Sequence, residues 1–338
     1  RGQSMASMIR HIVSLLFLAC LSHAGVTFKD SQIMDNVDLL IGSLEHFQCP
    51  TGCRVYSPTG ERSIRIVNDI GSELYTLYDL SLISPDKPAT LAPGNYTLKR
   101  TGWDDPEFTF YVVKKEAANY DTPVYTKHGK IGVINQRYVT FLTDGPGFLI
   151  KEISGDLSSS NVSVYTTGAD SLANKACSPV FVARSPDNAA RSSIGIRGPI
   201  ATIDFGSAKA AHYATISNGF NAVETLVGTS SVYVSPGYVG CGDAQLYTND
   251  YVNKVQQGFK VQEPSGLCVK LSGKYAISSD LSAVSLNINN DNLRMTGTAT
   301  VDKIYDGTSF DISILWNRQG DYDSTQFAYQ LDLLPGKC

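Results

Sequence analysis

The chain has 338 residues, 42% of them hydrophobic, with a net charge of −4 and a pI near 5.7. That length supports about two to three domains with cores of their own, without help from a structural metal. The mildly acidic balance, with no clustered Lys and Arg, excludes the class of proteins that neutralise a nucleic-acid backbone.

The first segment, residues 1–24, reads as a secretory signal peptide. Arg10 and His11 give a short basic start, Ile12–Leu21 is apolar apart from Ser14, and Ser22-His23-Ala24 supplies small residues at a cleavage position. The apolar run is too short to cross a bilayer, which takes about 20 residues, and no later run reaches that length. The leader carries Arg1 and Arg10 and no acid, so the remaining chain is more acidic than the whole. The tail Leu333–Cys338 has neither an ER-retention signal nor a hydrophobic anchor-addition signal, so a soluble extracellular product is expected.

Residues 31–47 predict a helix. Ile33, Val37, Leu40, Leu44 and Phe47 recur at spacings of three and four, Ser31 could cap the start, and Gly42 weakens the interior. From Cys49 onward the period changes to two. Ser63–Val67, Leu74–Tyr78, Thr90–Leu98 around the turn Pro93-Gly94-Asn95, and Phe108–Val113 read as short strands. They predict a small antiparallel sandwich, so residues 25–117 are assigned to a helix plus an Ig-like or prealbumin-like module. The Pro-Gly-x-Tyr-x-Leu stretch is similar to the closing hairpin of such modules. Lys114–Thr126 reads as a linker.

Residues 118–240 form a second predicted β-block. Its strands are Ile131–Ile134, Tyr138–Leu142, Phe148–Ile150, Val162–Tyr165, Ile200–Ile203, Tyr213–Ile216 and Val232–Val234, with turns at Asp144–Gly147 and Ser217–Gly219. Residues 241–338 form a third, with alternating stretches at Leu267–Leu271, Val284–Ile288, Leu293–Val301, Phe310–Trp316 and Phe327–Leu333. Asn287–Asn292 and Asp306-Gly307-Thr308 read as turns. The fold class is mainly all-β: two or three antiparallel β-sandwich or jelly-roll modules and a short N-terminal helix. The sequence leaves open whether the second and third blocks form one domain.

Cysteine use fits an oxidising compartment. Of seven cysteines, Cys20 leaves with the leader; Cys49, Cys53, Cys177, Cys241, Cys268 and Cys338 remain, an even set that implies disulfides. Cys49 and Cys53 can close a small local loop, and Cys241–Cys268 and Cys177–Cys338 are the expected remaining pairs. The three residues between Cys49 and Cys53 do not make a redox CxxC, and no second ligand pair makes zinc. Asn95-Tyr96-Thr97 and Asn161-Val162-Ser163 are glycosylation sequons, each predicting a surface position.

The stretch Tyr213-Ala-Thr-Ile-Ser-Asn-Gly-Phe220, followed by Val232-Tyr-Val-Ser-Pro-Gly237, resembles the strand-turn rhythm of CUB-like modules of secreted host-defence and matrix proteins. The resemblance covers about a third of the chain and implies an extracellular binding module with no catalytic residues. The CUB cysteine pairs and acidic calcium triad are not present in order, so no calcium site is carried over.

Chemistry-bearing constellations are sparse. After the leader the histidines are His46, His128 and His212, with no H-E-x-x-H spacing for zinc and no G-x-S-x-G nucleophile elbow. Asp204, Ser207 and His212 come nearest to a triad, but a serine five residues from its histidine on strand-like backbone is more often plain surface polarity. Trp103-Asp104-Asp105 offers a sugar platform beside two carboxylates, or an exposed turn before Pro106. Asp302–Gly307 departs from a calcium loop at Ile304 and Ser313. The oxygen-rich turns Asn289–Asn292 and Asp321–Asp323 keep calcium open as a ligand; no other cofactor is implied. Eighteen tyrosines against two tryptophans make tyrosine the prominent aromatic, useful for sugar and protein contacts as well as for strands. Trp103, Tyr238, Tyr247 and Tyr251 lie in loop-like contexts and are the candidate binding residues. The expected function is that of a secreted binding or interaction glycoprotein for an extracellular glycan or protein ligand, such as a microbial surface in host defence. A secreted carbohydrate hydrolase using Asp104 or Asp105, and a structural matrix or coat component, are the alternatives. The oligomeric state stays open.

Overall fold

The structure, a computed structural model, describes residues 31–35, 44–101, 108–144, 147–155, 162–174, 177–183, 186, 189, 193–196, 199–206, 211–218, 223–226, 231–234, 254–277, 283–289, 291–317 and 326–338. The fold is mainly β, in several largely antiparallel sheets with two short helices among the described residues. No helix among the described residues is long and apolar enough to cross a membrane.

The N-terminal block is a two-sheet sandwich. Its first sheet has the order β1-β8-β3-β6, built from Ser31–Asp35, Thr109–Lys114, Cys53–Tyr56 and Ala89–Leu91. Its second has the order β2-β7-β4-β5, built from Leu44–Cys49, Gly94–Arg100, Ile64–Asn68 and Glu73–Thr76. Phe47, Ile64, Ile66 and Leu98 of the second sheet pack against Val55, Phe110 and Val112 of the first. Truncating one of the buried phenylalanines to alanine would cost about 3–5 kcal/mol.

The predicted helix over 31–47 is overturned at its ends; residues 36–43 between them lie outside the described residues. Both its ends are strands, Ile33 pairing with Tyr111 and Phe47 with Tyr96. Around Phe47 the burial alternates: Phe47 and Cys49 are buried, Gln48 is exposed and His46 half-buried. That period of two belongs to a sheet, and sheet pairing outweighs the weak helical preference of a segment interrupted by Gly42. Three further expectations change. The strand at Leu74–Tyr78 ends at Thr76, where helix α1 (Leu77–Ser81) begins. Pro93-Gly94-Asn95 is not a hairpin turn: only Pro93 bends, Gly94 and Asn95 already belong to β7, and β6 pairs with β3 and β7 with β2 and β4, so the chain crosses between sheets there. The supposed linker 114–126 is packed: Ala117 and Val124 are buried, and the Arg54 guanidinium stacks 4.1 Å from the Tyr120 ring centroid while bonding the Tyr120 carbonyl and Asp121.

The second block is also layered. A five-stranded sheet, β14-β13-β16-β11-β9, contains Phe181–Val182, Ser163–Tyr165, Ile200–Asp204, Tyr138–Leu142 and Val124–Tyr125. It faces one half of a larger sheet formed by β10 (Gly129–Ile134), β17 (Ala211–Asn218), β12 (Phe148–Gly155), β15 (Ser193–Ile196) and β19 (Ser231–Val234). Val139, Phe141, Val164 and Ile203 on one side and Ile131, Val133, Phe148, Ile150, Ile194 and Ile216 on the other make one core. Ser217–Gly219 does not open a hairpin: β17 pairs with β10 and β12, whereas β18 (Val223–Leu226) runs parallel to β20, which spans Lys254–Ile277.

The large sheet does not stop at the second block. Strand β24 (Gln326–Pro335) lies between β19 and β20 (Lys254–Ile277), pairing Ser231 with Leu333 on one side and Val269 with Leu333 on the other. β23 (Gly297–Asn317), β21 (Ala283–Ile288) and β22 (Asp291–Met295) continue it, so the second and third blocks share a hydrogen-bonded sheet. Asp306-Gly307-Thr308, expected as a turn, runs inside β23. The irregularity sits on the partner, where the ladder jumps from Gln262–Ser309 to Leu267–Gly307. A Cβ on Gly307 would come within 2.8 Å of the Phe310 ring, so the glycine makes room for that buried side chain rather than for a turn.

Cys49 is bonded to Cys53, as the spacing suggests, in a tight loop that carries the chain from one sheet of the first sandwich to the other. Cys268 is bonded to Cys338, which replaces the expected Cys241–Cys268 and Cys177–Cys338 pairs. Sheet register explains it: Cys268 faces Leu334, so the last residues of the chain end beside it. Cys177 is also disulfide-bonded, and Cys241 lies outside the described residues.

The two sandwiches meet through a second small core. β8 is buried along its whole length; Phe110 and Val112 enter the first core, while Tyr111 and Val113 face Leu142 and Ile200 of the second sandwich. Around this contact Thr109 donates to the Thr143 carbonyl at 2.8 Å, Asn119 to the Ala169 carbonyl at 2.9 Å, and Tyr111 to the carboxylate of Asp170 in helix α2 (Ala169–Asn174).

Candidate functional site

The four aromatic residues singled out in the sequence, Trp103, Tyr238, Tyr247 and Tyr251, lie outside the described residues, as do Asp104, Asp105, Asn161, Ser207 and Asp321–Asp323. The remaining members of the sequence-level constellations can be placed. Asp204 and His212 do not form a catalytic pair. The Asp204 carboxylate is held by the Arg137 guanidinium at 2.9 and 3.0 Å and by the Gly206 amide, while His212 is fully buried with its ring stacked 4.5 Å from Phe205. The turn at Asn289–Asn292 uses its oxygens internally: Asn289 accepts from the Asp311 amide and Asp291 from the Tyr305 hydroxyl. Cys268, Cys338 and Asp306 cluster, but the two sulfurs are bonded to each other and Asp306 accepts from the Cys338 amide. Asn95 is exposed on the outer face of β7, and Thr97 of the same sequon bonds the His46 imidazole two residues along that face.

A different surface brings polar and aromatic chemistry together. Strand β17 alternates cleanly: His212, Ala214 and Ile216 are buried, while Tyr213, Thr215 and Ser217 face out. On edge strand β10, Ile131 and Val133 point to the core, so Lys130 and Gly132 lie on the outer face. Tyr213 sits directly opposite Gly132, and its ring lies across the glycine; a Cβ there would be 3.4 Å from the ring. The ring, 41% exposed, thus rests against β10 at a distance where even an alanine there would make only ordinary van der Waals contact. The Lys130 ammonium stands 5.5 Å from the ring centroid.

The third strand reaches this face through a bulge. In β12, Phe148 and Ile150 enter the core, the ladder slips between Ile150 and Glu152, and Ile153 is the next core residue. The one-residue slip reverses the phase, so Glu152 and Ser154 face outward beside Thr215 and Tyr213. Both carboxylate oxygens of Glu152 are oriented: Ser154 donates to one at 3.0 Å and Thr215 reaches the other at 3.4 Å. Lys151 at the bulge is exposed. The result is a flat aromatic ring, a fixed half-exposed carboxylate, two hydroxyls and two ammonium groups on neighbouring positions of three strands. Directly opposed side chains in such a sheet are about 5 Å apart and diagonal ones about 7–8 Å. That spacing suits ligation of a small polar ring or a peptide side chain. The sequence alternation around Tyr213 marked the ring as outward; the position of Glu152 could not be read, because a bulge leaves no composition signal.

No family model matches the chain, and no curated protein matches it. Among solved structures it is similar to the CUB1-EGF-CUB2 domains of rat MASP-1, with 8% identity over 91% of this chain and 99% of that one, at a TM-score of 0.24. It is also similar to the Arthrobacter globiformis T6 isomalto-dextranase complexed with panose, with 12% identity over 61% of this chain and 36% of that one, at 0.20. The ANXUR2 extracellular domain of Arabidopsis thaliana matches with 10% identity over 90% and 83%, at 0.18. The first of these is the kind of module that Tyr213–Phe220 and Val232–Gly237 resemble. At such TM-scores the likenesses carry no argument about function.

Proposed function

We propose that the chain is a secreted, N-glycosylated recognition protein of the extracellular space, acting by binding rather than catalysis, with ligands on cell or microbial surfaces as in host defence. The observation that carries this reading is the outer face of β10, β17 and β12, where Tyr213, Glu152, Ser154, Thr215 and Lys130 are held at an exposed surface. The apolar leader, the disulfide-bonded cysteines and the exposed sequon at Asn95 support export. On this face, among the described residues, Glu152 has hydroxyls and lysines as strand neighbours and no second carboxylate, so the two-acid arrangement of a glycosidase is not what the geometry favours.

The test is to express the chain with its leader, recover it from the medium, and treat it with an N-glycosidase. The protein is expected in the medium with a glycosidase-sensitive shift in mass that Asn95→Gln reduces. The secreted product is then presented to arrays of glycans, microbial envelopes and extracellular proteins. Saturable, selective binding is the expected result. Retention inside the cell, or binding to nothing on any of the three arrays, would overturn the reading.

A further inference from the structure

The geometry points to the Tyr213 face as a carbohydrate subsite, taking a single pyranose ring with free vicinal hydroxyls; this rests on the recognition reading above and names its ligand class. A pyranose has an apolar side of C–H groups and an equatorial rim of hydroxyls. Tyr213 supplies the complement of the first: an aromatic ring resting against Gly132 and 41% exposed to solvent. Glu152 supplies the complement of the second. A carboxylate is acceptor-only and can take two hydroxyl donors side by side. Here its two oxygens are fixed in direction by Ser154 and Thr215, which leaves further lone pairs for a ligand.

The bulge at Lys151 breaks a ladder to turn Glu152 outward, an expense that a plain solvated sheet does not need. With the exposed Tyr213 ring on the next strand it makes a shallow, preorganised site, and shallow single-ring sites bind weakly. Selective retention on a cell surface then comes from several copies of the sugar rather than from one tight contact.

The experiment uses the full secreted chain and titrates it with neutral methyl glycosides of glucose, galactose, mannose and N-acetylglucosamine, with methyl glucuronide as the anionic arm. At least one neutral glycoside is expected to bind saturably, and its deoxy analogue lacking one of the vicinal hydroxyls to bind about tenfold more weakly. Tyr213→Ala and Glu152→Gln are each expected to weaken binding about tenfold, while Tyr213→Phe, which keeps the stacking face, retains it. Both positions face out of the core, so unchanged thermal unfolding is the control for folding; Thr215→Val is a second probe of the carboxylate if Glu152→Gln is unstable. Binding to envelopes or proteins that no glycoside competes would overturn the carbohydrate assignment and leave the recognition reading standing. Sugar binding insensitive to Tyr213→Ala and Glu152→Gln, or binding of the glucuronide alone, would overturn this face as the site described.

Discussion

At the scale of single residues, the best-defined energetic feature is the bond between Tyr111 and Asp170. Both side chains are 3% exposed, and they belong to different sandwiches. A carboxylate can be buried only where donors replace its water, and the Tyr111 hydroxyl is one of those donors. Gly168 makes the approach possible, since a Cβ there would overlap both the Tyr111 hydroxyl and the Asp170 carboxylate. Tyr111→Phe is therefore expected to cost about 1.5–3 kcal/mol, the range for a hydrogen bond to a charged group. Gly168→Ala should cost a similar amount by forcing the pair apart, about 1–3 kcal/mol. Urea unfolding of both variants checks this, and an unchanged midpoint would refute it. None of this was legible in advance: the sequence marks Tyr111 as one apolar strand residue among six, and only the fold brings Asp170 to it.

At the scale of elements, much of the sandwich architecture was legible because alternation survives where one face of a strand is wet. Strands β4 and β17, each with one face wet, fall where their alternation puts them, and β11 and β16, buried almost throughout, where their runs of strand-forming residues do. The segments that misled are those where a local motif competes. Helix α1 starts with a capping box that also reads as a strand end: Asp79 donates its amide to the Thr76 hydroxyl and accepts from the Thr76 amide, at 3.1 and 2.8 Å. The signature Thr-x-x-Asp was there at 76–79, but β-prone Leu and Tyr on both sides masked it. Thr76→Ala should destabilise the first sandwich by about 1 kcal/mol, measured by thermal unfolding. The residues 114–126 read as a linker because charge and proline dominate the composition; the few apolar groups that matter, Ala117 and Val124, are too sparse to show a period.

Another element-level consequence concerns pH. His128, at the entry to β10, has a buried Nε2 with no hydrogen-bond partner among the described residues, and its ring packs 6.1 Å from Phe148. Burial lowers its pKa, against the opposing pull of Asp144 and a hydrogen bond to the Leu142 backbone. The unfolded chain thus takes up a proton more readily than the folded one. The contribution of a neutral His128 is complete above the ordinary value of about 6.5 and is lost as pH falls below it toward the depressed folded pKa. Unfolding followed between neutrality and about pH 5 should show stability falling with pH, and His128→Gln should flatten part of that slope. An identical slope in the variant would exclude His128 as its source.

At the scale of the whole molecule, what holds the third block to the second is strand β24. It is inserted between β19 and β20, so the sheet is continuous only while this C-terminal strand stays in place. Here it is closed from beyond its end: Gly336 donates to the Gly266 carbonyl at 2.8 Å, the Cys338 amide to Asp306 at 2.7 Å, and Cys338 is bonded to Cys268 across a sequence separation of 70. Loop-closure entropy makes that bridge the more consequential of the two described pairs. For a loop of this length it removes about 4 kcal/mol of unfolded-state freedom, against about 2 kcal/mol for the four-residue separation of Cys49 and Cys53. Replacing Cys338 with serine is therefore expected to raise hydrogen exchange first in β24 and in the facing stretches of β19 and β20, with β2, β4 and β7 of the first sandwich unchanged. Uniform loss of protection across both sandwiches would mean that the bridge stabilises the whole chain as one unit. Loss confined to Gly336–Cys338 would mean that the β19-β24-β20 ladder holds the sheet together without it.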